Sequence, residues 1–227
     1  DFFEKFDSIS KLLKDACACT NIENIKLILN TIKDNKKDPD ITLAFIQASY
    51  NKSIDICQYI IDDKYFYIDF QQFLTHDLGN LNKDIFSIIF ENSSPELQES
   101  LLYSSLHDAI LKSNKELAEF LLNKNANKDH ILFDAIFTNN AEMVKYVLSI
   151  PGIDVNECLS QDGNTPLITA IMNCKHQIVE VLVNDKRTNI NAKNSVNLTA
   201  LNIAIYQNNY KIVEILLSNP EIYQSLN

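Results

Sequence analysis

A self-match at a fixed offset constrains this chain more than any other feature. Residues 162–171 read DGNTPLITAI and residues 196–205 read VNLTALNIAI, so Thr165-Pro166-Leu167 and Thr199-Ala200-Leu201 stand in register at an offset of 34. Downstream, HQIVEVLVND (176–185) matches YKIVEILLSN (210–219) at the same offset. A period of this length marks a small unit that cannot bury its own apolar face and must stack on its neighbours. The local chemistry is consistent within each unit. Asp162-Gly163 is a tight-turn signal, because Gly accepts φ > 0 without a Cβ clash. Thr165-Pro166 is a helix start: a capping hydroxyl, then a proline where its missing N–H costs nothing. Each unit is a turn tip that feeds a helix.

The pattern T-P-L-x-x-A followed by an apolar V-x-x-L-L block resembles the ankyrin-repeat family. The resemblance implies an all-α solenoid of stacked helical hairpins, with short β-hairpin fingers near the carboxyl end. The position to follow is the Ala of the first helix, with a small or β-branched apolar residue nine positions later on the second. Ala204 pairs with Val213, Ala170 with Val179, Ala135 with Val144, Ala109 with Ala118, Ala48 with Cys57 and Ala16 with Ile25. A weaker unit has Asp77 in the Ala slot and Phe86 nine later. That makes about seven hairpins, with slot spacings of 32, 29, 32, 26, 35 and 34 residues.

Only the last two spacings leave room for fingers, in GIDVNECLSQDGNT and RTNINAKNSVNLT, where Val155-Asn156 and Ile190-Asn191 match the family's V-N step. The 26-residue step is a plain loop. ENSSPELQESLL (91–102) is a helix capped by Ser94 with Pro95 at its first position, in place of a finger. Residues 1–103 are degenerate repeats and 104–227 recognisable ones, continuous as one solenoid. The carboxyl end resembles the start of another finger, which implies a further repeat.

The family places Gly in the turn between the two helices, where the backbone is left-handed. Here that turn reads Asn208-Asn209, Asn139-Asn140, Asn173-Cys174, Ser113-Asn114 and Asn51-Lys52, and only three glycines occur in 227 residues. Asn is the best substitute for Gly in that conformation. Asn197 is expected in the slot that Gly163 fills in the other finger.

Composition excludes several functions. A net charge of −10 argues against nucleic acid, which calls for clustered Lys and Arg. No apolar run is long enough to insert in a membrane. Five cysteines in a chain of this size are expected as free thiols in a reducing compartment, so the protein is expected to be intracellular, in the cytoplasm, and the sequons at Asn51, Asn92 and Asn197 incidental. Cys17 and Cys19 have no second pair at zinc spacing. His76-Asp77 and His107-Asp108 point to different helix faces and form no base–orienter pair. His107 stands at the T-P-L-H position, whose His the resemblance implies is hydrogen-bonded at a finger-to-helix corner. His130 replaces the capping Thr as a plain substitution. No phosphate loop or nucleophile elbow occurs. The expectation is no catalysis, no cofactor and no metal.

The resemblance implies binding along one face, at finger tips and at the exposed end of each first helix. Two residues after each Ala slot stand Ala18, Tyr50, Gly79, Leu111, Phe137, Met172 and Tyr206, five of them large and apolar. Asn173 and Gln207 adjoin this row. The tips add Gln161, Asp162, Asn164, Ser195, Val196 and Leu198. The function expected is a protein–protein interaction module, acting as a monomer. The alternative is a substrate-recruiting adaptor of a ubiquitin ligase or other enzyme complex, with its effector domain outside this chain.

Overall fold

The computed structural model describes residues 12–17, 19, 21–34, 41–63, 65, 67–75, 78–158 and 161–225. Among them are thirteen α-helices and no sheet. Residues 12–17 (α1) precede α2 (Ile22–Asp34), and α3 (Thr42–Tyr50) precedes α4 (Ile54–Asp62). Two 3-10 turns, Phe70–Thr75 and Leu78–Asn80, lead to α5 (Lys83–Glu91). Then come α6 (Pro95–Leu111) with α7 (Lys115–Asn123), α8 (Ile131–Phe137) with α9 (Ala141–Ser149), α10 (Pro166–Met172) with α11 (His176–Val183), and α12 (Ala200–Tyr206) with α13 (Tyr210–Leu217).

The seven units map onto these elements. Ala48, Ala109, Ala135, Ala170 and Ala204 are fully buried on first helices. Ile25, Cys57, Phe86, Ala118, Val144 and Val179 are fully buried on second helices, and Val213 is half-buried. A methyl group at the first-helix slot lets the facing backbones approach closely, and the residue nine later fills the space. Asp77, His76 and Ala18 lie outside the described residues.

The turn between paired helices has one fixed backbone. Lys52, Ser113, Asn139, Cys174 and Asn208, each four residues after a buried Ala, have φ between 53° and 59°. In three of them the next N–H returns to that Ala's carbonyl, Ser53 to Ala48 (3.1 Å), Lys175 to Ala170 (3.0 Å) and Asn209 to Ala204 (3.0 Å), whereas the Asn140 N–H donates to the Thr138 hydroxyl (3.0 Å), which itself donates to the Ala135 carbonyl. The return to the Ala carbonyl is a Schellman-type closure, and it fixes which residue goes left-handed whatever its identity. The expectation that Asn takes that place therefore holds at Asn139 and Asn208, whereas Lys52, Cys174 and Ser113 take it elsewhere. The following residue caps the second helix, and here Asn is used most. Asn140 accepts from the N–H groups of Glu142 and Met143, and Asn209 from Ile212; outside these turns, Asn82 caps α5 by accepting from Asp84. Asn197 (φ 63°) matches Gly163 (φ 62°), as expected.

Other connections depart from the pattern. Ser94 accepts the Leu97 N–H and opens α6, as expected, but α6 then runs unbroken through Ser104-Ser105 to Leu111. Where Thr165-Pro166 starts a helix, Ser105 keeps an N–H and lets one continue. His107 thus lies inside α6, its ring 6.0 Å from that of Tyr103, and not at a finger corner. Residues 124–130 form a loop. The second finger is held by one isolated bridge, Lys193 to Thr199, because the Asn194 side chain accepts the Val196 and Leu198 N–H groups that a longer ladder would use.

Packing divides the chain into two compact units, Asp1–Ala109 with Glu116–Ala126 and Ile110–Lys115 with Asn127–Asn227. In the first, α4 packs on α3 and α5, and Phe86 meets Phe120 edge-on at 6.1 Å. Cys17 and Cys57 are wholly buried there; burial pushes their thiols up to about 12 and about 11. In the second, α8, α10 and α12 form one layer and α9, α11 and α13 the other.

Candidate partner-binding surface

In the second unit, each first helix begins at a finger or loop and ends, seven residues later, at a large exposed side chain. Phe137, Met172 and Tyr206 are the last residues of α8, α10 and α12, and Leu111 is the last of α6. Their exposures are 53, 50, 92 and 42% respectively, while Ala135, Ala170 and Ala204 two residues earlier are 0% exposed. Two positions along a helix turn the side chain by about 200°, so a buried Ala slot places the next-but-one residue outside. The row expected from the sequence is therefore present among these four. Tyr50, the last residue of α3, belongs to the first unit and is half-buried, and Gly79 is buried in a 3-10 turn.

The amides beside the row brace it. Asn173 Nδ2 donates to the Thr169 carbonyl (2.8 Å), and Gln207 Nε2 donates to the Met172 carbonyl of the preceding repeat (3.2 Å). Similar braces recur along this unit. Asn156 Nδ2 donates to the Arg187 carbonyl (2.8 Å), Asn191 Nδ2 to that of Glu221 (2.8 Å), and Asn219 Nδ2 to that of Val183 (3.2 Å). Arg187 donates to the Leu148 carbonyl at 2.7 Å, and its guanidinium holds the Asp185 carboxyl below the usual range.

The fingers are joined to each other. The Ser195 N–H donates to the Asp162 carbonyl (2.9 Å), and Asn194 Nδ2 donates to Asn164 Oδ1 (3.0 Å). Gly163 is needed here twice over. Its φ is left-handed, and an added Cβ would stand 3.0 Å from the Ser195 nitrogen. Val196 and Leu198 are exposed. The fingers lead into the amino ends of α10 and α12 and the row closes their carboxyl ends, so about 10 Å of helix separates them.

Two groups escaped the sequence. His130 is no plain substitution: it adopts φ 64°, and its Nδ1 meets Glu157 Oε1 at 2.7 Å while Glu157 Oε2 accepts its N–H. No local signal links residues 27 apart. Ile205 is 59% exposed, whereas its equivalents Ile136 and Ile171 are 0% exposed. It widens the apolar surface beside Tyr206. A separate hollow of about 740 Å³ lies between α9 and α11, lined by Leu148, Val181, Glu180 and the Glu142–Lys145 ion pair. Among the described residues no three His, Cys, Asp or Glu side chains form a metal cluster, and no helix is long and apolar enough to cross a membrane.

Buried Ala slots, Schellman turns and paired helices in two layers define a helical repeat protein. Residues 132–225 match the family model described as ankyrin repeats (3 copies), so this part of the chain is made of ankyrin repeats. It is similar to the solved ankyrin repeat domain of Bcl-3, described as a unique member of the IkappaB protein family, with a TM-score of 0.64 at 18% identity over 90% of this chain and 97% of that one. It is likewise similar to the human ASB11 ankyrin repeat domain, with a TM-score of 0.63 at 18% identity over 91% and 96%. A curated relative, Alpha-latrotoxin-Lg1a of Latrodectus geometricus, is 33% identical over 86 residues, which is 37% of this chain and 6% of the toxin's length.

Proposed function

We propose that this chain is a non-catalytic module that binds a protein partner, as a monomer, through the row Leu111, Phe137, Met172 and Tyr206, with the finger tips around Asp162, Asn164, Val196 and Leu198 at its edge. One observation carries the reading. Residues two positions from buried Ala slots are large, apolar and exposed in four consecutive repeats, although a solvated surface gains nothing from them. Aromatic residues and Met are the side chains enriched in interface cores. Braced helix ends present them with little reorganisation on binding. The free thiols support an intracellular setting.

The test pairs stability with binding. Phe137→Ala and Tyr206→Ala should shift the denaturation midpoint by less than about 1 kcal/mol of stability. The same changes should weaken capture of a partner recovered by the wild-type chain by about 2 kcal/mol or more. Loss of about 3 kcal/mol or more of stability would mark the row as packing and defeat the proposal.

A further inference from the structure

An asparagine clasp that is complete at one junction is half-made at the next. We propose that residues 220–225 are a two-state strap, closed on α13 as a 3-10 turn in this structure and able to open into the course that residues 186–191 take one period earlier.

Asn156 grips the chain after α11 at two points. Its Nδ2 donates to the Arg187 carbonyl (2.8 Å), and its Oδ1 accepts the Asn189 N–H (2.7 Å). Asn191 stands one period on. Its Nδ2 donates to the Glu221 carbonyl, again at 2.8 Å, but its Oδ1 is buried and has no hydrogen-bond partner. The donor due there by register is the Tyr223 N–H, two residues after the gripped carbonyl as Asn189 is after Arg187. A buried acceptor left unpaired is costly, and folded chains seldom leave one.

The local chain explains why the clasp stays open. Residues 151–156 and 186–191 each follow their second helix with two turns that flank two non-helical residues. Residues Pro220–Ser225 form a 3-10 turn instead. Asn219-Pro220 is a helix start: the Asn219 Oδ1 accepts the Glu221 N–H (3.0 Å), and proline stands where its missing donor costs nothing. Tyr223 then latches the turn, its hydroxyl donating to the Leu217 carbonyl (3.1 Å). The equivalent carbonyls of Leu148 and Val183 receive side chains from the following period, Arg187 at 2.7 Å and Asn219 at 3.2 Å. The strap thus fills from within an acceptor that two earlier junctions give to a neighbour. Opening has a cost of its own, because Gln224 stands in the position of Val155 and Ile190, both buried. Closed, the strap strands the Asn191 oxygen; open, it brings an amide to an apolar slot and releases the Leu217 carbonyl. Each state leaves one group poorly placed, which is the condition for a switchable element.

The test reads backbone Cα chemical shifts of the full chain, with Thr188 and Asn189 as internal references for the open course. In the wild type, Ile222 and Tyr223 should be displaced to the helical side. Tyr223→Phe removes the latching hydroxyl and should move positions 222 and 223 toward the displacements of Thr188 and Asn189. Adding Asn191→Ala removes the acceptor that the open state gains and should abolish that move. Adding Asn191→Asp keeps the acceptor and should preserve it. Unchanged shifts in Tyr223→Phe overturn the latch and the strap with it. A move to random-coil values that is indifferent to Asn191→Ala marks a frayed turn and overturns the strap as well. Shifts of α12 and α13 that match the wild type show that each variant keeps its fold.

Discussion

Cys57 in the first unit and Val179 in the second fill the same slot, nine residues after a buried Ala, yet the chain around them is built differently. Around Val179 stand a Thr-Pro helix start and a finger tied to its neighbour by Ser195 and Asn194. Around Cys57 the chain leaving α4 returns to the start of α3 instead, with the Asp69 N–H donating to the buried Thr42 hydroxyl and the Ile41 N–H to the Tyr67 carbonyl. The interhelical turn is the same in both: Lys52 and Cys174 are left-handed, and the next N–H closes on the Ala carbonyl. The difference teaches which parts of the repeat are structural. The Ala slot, the turn and the second-helix plug persist in both units, while the finger is replaced freely.

The comparison can be broken most directly at Phe86, the plug of the unit with no regular first helix. Phe86→Ala should cost about 3–5 kcal/mol in a denaturant titration, because the ring is wholly buried against Phe90 and Phe120. A cost under about 1 kcal/mol would mean that the 3-10 turns leave this repeat loosely packed.

Alkaline pH should separate the units next. Burial holds the Cys17 and Cys57 thiols protonated, at about 12 and about 11, against an ordinary value of 9.0. Between those limits the unfolded chain has lost thiol protons that the folded one retains, so stability falls as pH rises. It is fully present below pH 9 and declines from there toward pH 11–12. Cys19, Cys158 and Cys174 are exposed. Alkylation at pH 8 should modify these three quickly, with Cys17 and Cys57 following only on unfolding. Five equally fast thiols would contradict the burial.

Asn140→Ala should cost about 0.5–2 kcal/mol, since the side chain accepts two N–H groups of α9. Lys175, the equivalent residue before α11, makes no side-chain cap, so Lys175→Asn should stabilise where Asn140→Ala destabilises. Thermal melts of the two variants give the sign.

The smallest effect lies in the turn. Cys174→Gly should gain up to about 1 kcal/mol by removing a Cβ from a left-handed position. Asn208→Gly should be nearly neutral, because Asn already tolerates that region. Equal effects would mean that the turn is not strained at Cys174.

Much of this was legible in the sequence because it is periodic. Burial of the Ala slots and of the residues nine later follows from helical geometry, and the row of end residues follows from the Ala slots. The Ser94-Pro95 start was legible as well. What was not legible depends either on backbone closures that residue type does not decide or on chain distant in sequence. Asn-rich turns could not be resolved into a left-handed residue and a cap, because Asn suits both and only the closure on the Ala carbonyl decides. The length of α6 depended on a proline that Ser104-Ser105 lacks. The His130–Glu157 pair and the exposure of Ile205 come from tertiary placement, with no spacing to announce them.

The amide braces give the second unit a mechanical character. Gln207 and Asn219 each grip a main-chain carbonyl of the preceding helix pair, and Asn191 ties the chain before α12 to the chain after α13. Under tension applied at the carboxyl end, a junction holds until its amides release together with the apolar contacts behind them. Each release then frees one period, roughly 34 residues, or about 110–120 Å of extended chain. Pulled from its carboxyl end, the unit is expected to lengthen in steps of one repeat, each step set by how firmly one helix pair is tied to the next.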